Sequence, residues 1–337
     1  MRPITNPPNS FVAEVRELLG ASPPVTPDIF EETARTILSH NESPDLPFRW
    51  SLNPYRGCFH ACAYCYARPS HEYWGFGAGT DFESKLVVKI NAETKLQETF
   101  KKPSWNGELI VFSGNTDPYQ PLEAEYKLTR ACLQTCAIFR NPVGIISKSA
   151  LLTRDIDVFQ ELHKAAWIRV FLSIPFASDE IARKVEPQAP SISKRFATIE
   201  ALAKAGIPTA VSIAPVIPGL NEHDIPKILS RAREAGAQDA TFILLRLNNN
   251  VEKVFVERMA QHFPDRIQKI MSRLKEVRQG QTGERMFFKR HQGQGTTWEV
   301  IAQLFEQNYK KLGFPNVPEA PIPETFKRPG PAQLSLF

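Results

Sequence analysis

The chain has 337 residues, 42% of them hydrophobic and 23% charged, with a formal net charge of +5. This composition excludes a globally disordered chain and fits about two domains, or one large barrel with additions. The longest uncharged apolar stretch, Gly206–Leu220, is broken by Pro208, Pro215 and Pro218 and is too short to span a bilayer. Met1–Ser10 has no apolar signal region, so a cytoplasmic, reducing setting is expected for the five cysteines.

Proline marks the ends of the fold. Nine of the 28 prolines fall in residues 1–54 and six in 315–331, which delimits an N-terminal arm (residues 1–45) and a tail (residues 315–337). In the arm, Pro27 and the acidic Asp28, Glu31 and Glu32 predict a helix over Asp28–Ser39. Beyond it, β-branched apolar runs predict strands over Ser51–Tyr55, Leu109–Phe112, Val143–Ile146, Ile168–Ile174, Thr209–Ala214 and Ala240–Leu245. Helical patterns lie between them over Glu123–Arg140, Asp155–Ala166, Ser191–Ala205 and His223–Ala235. Gly206 reads as the helix cap that leads into the fifth strand.

Regular strand–helix alternation implies a parallel sheet, and no further strand–helix unit follows Leu245. The expected fold is α/β: a partial (β/α)6 barrel over residues 46–250, open on one side. A helical C-terminal cap over residues 251–314 is expected from Val251–Phe263, Ile267–Gly280 and Trp298–Leu312. The cap is basic: residues 266–312 hold ten Lys and Arg against four Glu. Within it, Arg285–His291 mixes aromatics with cations. Such a segment suits a polyanion such as DNA or RNA, and equally a solvated helix face.

Cys58, Cys62 and Cys65 stand in a C-x3-C-x2-C pattern, with Tyr64 directly before the third. Three thiolates this close suit one soft-metal centre. An iron–sulfur cluster with one iron left open needs no fourth ligand. Zinc wants a fourth, for which His60 and His71 are the neighbouring candidates, although His60 reads better as a hydrogen-bonder beside the ligands. Cys132 and Cys136, at i, i+4 on a predicted helix, read as small buried hydrophobes. The aromatic, glycine-rich His71–Gly79 reads as a loop at the rim that covers substrate or packs on the barrel.

With its cysteines after a first strand, the sequence resembles the radical S-adenosylmethionine (SAM) superfamily. Ser113–Glu123 after the second strand, Val185–Ser191 after the fourth and Ala214–Asn221 ending the fifth resemble the branch containing spore photoproduct lyase and its uncharacterised relatives. The resemblance implies a 4Fe–4S cluster on Cys58, Cys62 and Cys65, SAM as cofactor, and a reductant for the cluster. It implies SAM contacts from Tyr64 and from the segment Ser113, Gly114, Asn115, Thr116 and Asp117. Lys148 with Ser149 at the end of the third strand, Ser173 at the end of the fourth, and Glu186 and Arg195 beyond it complete the implied set, with Ala214–Asn221 over the adenine. The lyase's radical-site cysteine has no counterpart here. Tyr55, Tyr66 and Tyr119 are candidate hydrogen donors, and no catalytic residue is assigned.

The last five residues, Gln333, Leu334, Ser335, Leu336 and Phe337, resemble the bacterial sliding-clamp-binding pentapeptide. A proline-spaced tail suits delivery of such an anchor to a partner groove. Three readings follow: a radical SAM enzyme acting on nucleic acid in repair or modification, a radical SAM enzyme acting on a protein or small molecule, and a non-catalytic metal-stabilised module recruited to the clamp.

Overall fold

The computed structural model describes residues 27–314 and 324–330. Its strands are β1 (Asp28–Glu32), β2 (Leu38–His40), β3 (Trp50–Leu52), β4 (Tyr55–Arg56), β5 (Lys85–Lys89), β6 (Ile110–Phe112), β7 (Val143–Ser147), β8 (Ile168–Ser173), β9 (Thr209–Val216) and β10 (Asp239–Leu244). Its helices are α1 (Asp81–Ser84), α2 (Ala92–Lys101), α3 (Leu122–Tyr126), α4 (Leu128–Ile138), α5 (Ile156–Ala165), α6 (Asp179–Val185), α7 (Ile192–Lys204), α8 (Ile225–Glu234), α9 (Asn250–His262), α10 (Ile267–Val277) and α11 (Thr296–Lys311).

The main sheet runs in the order β10-β9-β8-β7-β6-β3-β2, with β3 through β10 parallel and β2 antiparallel at one edge. Successive parallel strands are neighbours, as helical crossovers of one hand dictate. This is the expected partial (β/α)6 barrel. Buried Ile110, Val143, Ile145, Val170 and Val211 of the sheet share one core with Leu133, Phe159, Ile199, Leu202 and Leu229 of the covering helices. Ser113, Ser147 and Ser173 at the ends of β6, β7 and β8, with Ser212 within β9, line one cleft. At the open edge, His291 O accepts from Leu244 N (3.0 Å), so the segment after α10 lies along β10. Arg278 fixes that segment by donating to Leu244 O, Leu245 O and Arg290 O. Among the described residues, no helix is long and apolar enough to cross a membrane.

Three expectations change. The predicted helix Asp28–Ser39 is two strands, because β5 and β3 offer edges to pair with: β1 runs parallel to β5, and β2 antiparallel to β3. Partnered edges outweigh a local acidic start signal. The predicted Glu123–Arg140 helix is broken at Lys127, which adopts φ 53°. The Glu123 carboxylate there accepts from Thr129 N (2.8 Å) and Arg130 N (3.1 Å) and starts α4 anew. His71–Gly79 is no open loop: Arg68–Trp74 is a 3-10 helix closed by left-handed Gly75. A small sheet in the order β1-β5-β4, and helix α6, were not foreseen.

The described part of the tail packs on the barrel. Phe326 lies against Phe100 and Phe139, Lys327 N donates to Phe139 O (2.9 Å), and Arg328 donates to Phe100 O, Lys102 O and Trp105 O. These partners end α2 and α4 and precede β6 and β7, so the strap sits at the N-terminal ends of the strands, opposite the cleft. Gln333–Phe337 lie outside the described residues. Phe326→Ala is expected to lower the thermal midpoint by roughly 3–6 °C, the loss of about 1–2 kcal/mol from a partly buried ring. An unchanged midpoint in differential scanning calorimetry contradicts the strap.

Candidate active site: a three-cysteine loop at the strand ends

The cysteine loop leaves β4 through Gly57, whose φ is 71° and where a Cβ would stand 2.8 Å from Phe82 O. That backbone and that space demand glycine. The loop has little regular structure and is tied at several points: Cys58 N donates to Phe82 O (2.9 Å), Ala63 N to Val185 O (2.9 Å), and Gln188 N to His60 O (3.3 Å). Thr116 Oγ1 donates to Gly57 O (2.5 Å), while Thr116 O accepts from Asn53 Nδ2 (2.6 Å).

Cys58, Cys62 and Cys65 line a cleft of about 600 Å3 together with Tyr64, Tyr66, Ser113–Asp117, Ser147, Lys148, Ser173, Ala214 and Pro215. Among the described residues, no three His, Cys, Asp or Glu side chains gather closely enough to hold a single ion. Zinc requires four ligands within about 2.3 Å of one point. A cubane takes each thiolate on a different iron, so thiols spaced around an open volume suit it. His71 is not among the residues that line the cleft, and its Nε2 lies 2.8 Å from Lys85 O. His60 is buried between Cys58 and Asp117, its Nδ1 3.4 Å from Asp117 Oδ2. Burial disfavours the His60 imidazolium, yet the Cys58 and Asp117 charges raise its pKa to about 10.

The residues singled out as SAM contacts form two groups. In the first, Tyr64 OH donates to Glu186, Arg195 Nη2 donates to Glu186 Oε2 (2.5 Å), and Lys148 Nζ lies 4.0 Å from Glu186 Oε1. Burial opposes the Glu186 carboxylate, but Arg195 and Lys148 hold its pKa below the usual range. Arg195 also donates to Ser173 O (2.9 Å), linking the end of β8 to α7. Tyr64, Lys148 and Ser173 reach the cleft, whereas Glu186 and Arg195 lie behind its lining. In the second group, Asp117 accepts from Ser147 Oγ (2.7 Å), Lys148 N (2.8 Å) and Tyr119 N (2.9 Å). Ser113, Gly114 and Asn115 remain at the cleft surface, and Tyr66 OH donates to Gly114 O (2.9 Å). Ser149 is spent on capping the following 3-10 helix. Asn221 staples Ile217 N, Pro175 O and Pro215 O, which leaves Ala214 and Pro215 to line the cleft.

Of the candidate hydrogen donors, Tyr55 and Tyr119 are buried with their hydroxyls on Glu123 (2.5 Å) and Asp155 (2.9 Å). Tyr66 is half-exposed at the cleft beneath Arg246, whose guanidinium carbon lies 5.0 Å from the ring centroid. Cys132 and Cys136 are buried in the core and away from the cleft lining.

Residues 52–232 match the family described as the Radical SAM superfamily. The chain belongs to the radical SAM superfamily. Members of this superfamily are enzymes that use a 4Fe–4S cluster and SAM, and the three-thiol cleft fits both. An uncharacterised protein of Mycobacterium tuberculosis is 36% identical over 234 residues, covering 69% of this chain and 68% of that one. A protein named radical SAM Nalpha-GlyT isomerase, from Pseudomonas phage M6, is 25% identical over 217 residues, covering 63% of this chain and 43% of that one. Spore photoproduct lyase complexed with dinucleoside spore photoproduct superposes with a TM-score of 0.57 at 14% identity, over 84% of this chain and 79% of that one, a likeness of fold.

Sequence reasoning missed Lys89 and Arg246, which also line the cleft. Lys89 is almost fully buried on β5 and donates to Asn53 O (2.9 Å). Burial, with help from Arg56, lowers its pKa from 10.5 to about 8. The unfolded chain therefore binds more protons than the folded one between these values, and stability rises with pH across that window. Relative to Lys89→Met, the wild type is expected to gain about 1–3 kcal/mol between pH 7 and pH 10.5 in denaturant titrations. Parallel curves contradict the buried ammonium.

Proposed function

We propose that this radical SAM enzyme abstracts hydrogen from a nucleic-acid substrate, in repair or modification. The observation that carries the reading is the composition of the mouth of the cleft. Arg246 and Tyr66 line the cleft together with Arg290 and His291 of the segment Arg285–His291, in which Met286, Phe287 and Phe288 are exposed. Arg290, which lines the cleft, is anchored on Asp45 (2.6 and 2.8 Å) and covers Phe287. Exposed rings interleaved with cations suit stacked bases and a phosphate backbone.

In this reading Cys58, Cys62 and Cys65 would hold the cluster at the cleft they line. When bound and reduced, the cluster with SAM would supply the radical chemistry for hydrogen abstraction. Lys148 would pair with the cofactor carboxylate, and Ser113–Asn115 would offer carbonyls and side chains to its amino group. Ser173 would serve the ribose, and Ala214 and Pro215 would supply apolar contact to the adenine. Glu186 and Arg195 hold Tyr64 and Lys148 in place from behind, as Asp117 holds the turn after β7. Tyr66 is the tyrosine placed to return a hydrogen.

The tail adds a partner. Gln333–Phe337 is proposed to dock on a sliding-clamp ring. From Gly330 the remaining seven residues reach at most about 24 Å. Because the strap sits opposite the cleft, docking leaves the mouth free for substrate.

Anaerobically reconstituted protein with dithionite and SAM is expected to release 5′-deoxyadenosine, and Cys58→Ala, Cys62→Ala and Cys65→Ala to abolish that release. No release from the wild type, or a site filled by zinc, favours the non-catalytic module instead, and release that survives the substitutions contradicts the cluster assignment. Neutralising Arg285 and Lys289 is expected to weaken oligonucleotide binding and to lower its salt slope by about one for each phosphate no longer neutralised. An unchanged slope points to a protein or small-molecule substrate. Deleting residues 333–337 is expected to abolish retention by a clamp ring, and retained binding contradicts the tail's role.

A further inference from the structure

Two guanidiniums outside the cleft lining are buried directly on the backbone of the cysteine loop. Arg68 is fully buried in the 3-10 helix that follows Cys65. It donates to Cys62 O from Nε (3.1 Å) and Nη2 (2.9 Å), and to Ala78 O (3.1 Å) and Gly79 O (2.7 Å) from Nη1. Arg258 comes from α9 in the cap, also buried, and donates from Nη1 to Ala61 O. The two share one carboxylate. Glu83 on α1 accepts from Arg68 Nη2 (2.9 Å) and from Arg258 Nη2 at both oxygens (2.5 and 2.6 Å).

Two physical consequences follow. Ala61, between the first two cysteines, holds a left-handed φ of 58°, a conformation that costs a side-chain-bearing residue about 1 kcal/mol or more. Its carbonyl is the one that Arg258 grips, so the cap holds the loop in its unusual turn. Two guanidiniums sharing one carboxylate also leave an excess of positive charge beside Cys62 and Cys65. Arg258 and Cys62 are within electrostatic reach of each other, as are Arg68 and Cys65. In a buried setting such charges act strongly, because solvent screens them little.

We propose that Arg68, Glu83 and Arg258 form a clamp that positions the cysteine loop and raises the midpoint potential of the cluster it carries, which makes that potential dependent on the C-terminal cap. The inference rests on the cluster assignment above. On reduction one electron passes from an external reductant to the cluster and no bond is made. The added negative charge is stabilised by a neighbouring cation, and cluster potentials follow net charge and hydrogen bonding in this way. None of the three residues touches the cofactor cleft, so they are positioning residues.

The test is an EPR-monitored dithionite titration of full-length reconstituted protein, with iron and sulfide counted for each sample. Arg258→Gln is expected to shift the midpoint to more negative potential, and Glu83→Gln to more positive potential. Arg258→Lys keeps the charge but cannot span Ala61 O and Glu83 together. It is expected to stay near the wild-type midpoint while losing iron to a chelator several-fold faster. Equal or same-direction shifts in Arg258→Gln and Glu83→Gln overturn the proposal. Where Arg258→Gln takes up no iron, Glu83→Gln decides: a positive shift supports the clamp, and a zero or negative shift overturns it. A wild type that takes up no cluster overturns the cluster assignment instead, so the two failures are distinguishable.

Discussion

Everything at this site depends on holding an irregular loop rigid while leaving its three thiols facing open space. Residues 57–68 lack a hydrogen-bond ladder of their own, so their backbone groups must find partners elsewhere or bear the cost of burial without them. The protein meets this from all sides. Phe82 O and Val185 O accept from the loop, Gln188 N donates to it, and Thr116 ties Gly57 to the end of β6. Arg68 and Arg258 satisfy the carbonyls that face away from the cleft. The loop is thereby linked to the small sheet, the barrel and the cap at once, which fixes the thiols without a strand or helix running through them.

The same logic governs the charged groups around the cleft. Tyr64, Lys148, Glu186 and Arg195 form a buried set in which Glu186 pairs with two cations. Buried charges are tolerable when paired and hydrogen-bonded. The arrangement leaves Lys148 at the cleft wall as a cation of fixed position. Asp117, held by a serine hydroxyl and two backbone amides, fixes the turn after β7 that carries this lysine. The Arg285–His291 side of the cleft is built differently. Exposed rings and arginines on Arg285–His291 are held from beneath, by Asp45 on Arg290, Arg278 on Arg290 O and Leu244 N on His291 O.

Much of this was legible in the amino-acid order. The six parallel strands follow from apolar β-branched runs such as Ile168–Ser173, which read the same locally as in the sheet. The C-x3-C-x2-C spacing identified the loop because thiolate chemistry constrains it more than packing does. What was illegible depends on long-range pairing. β1 exists because β5 offers it an edge, and no local pattern in Asp28–Glu32 shows that. The break at Lys127 depends on Glu123 reaching back to the amides of α4. Glu83 and Arg258 are 175 residues apart, and each reads as an ordinary surface charge until the fold brings them together. Lys89 was missed for the same reason: Lys85–Lys89 was not recognised as a strand, so its last lysine carried no expectation of burial.

The most direct test of the account is to follow hydrogen from substrate to cofactor product. Reconstituted enzyme is incubated anaerobically with dithionite, SAM and uniformly deuterated DNA or RNA, and the 5′-deoxyadenosine is weighed by mass spectrometry. The account predicts deuterium in the 5′-deoxyadenosine together with a changed nucleotide in the digest. Unlabelled 5′-deoxyadenosine with unaltered DNA and RNA contradicts a nucleic-acid substrate.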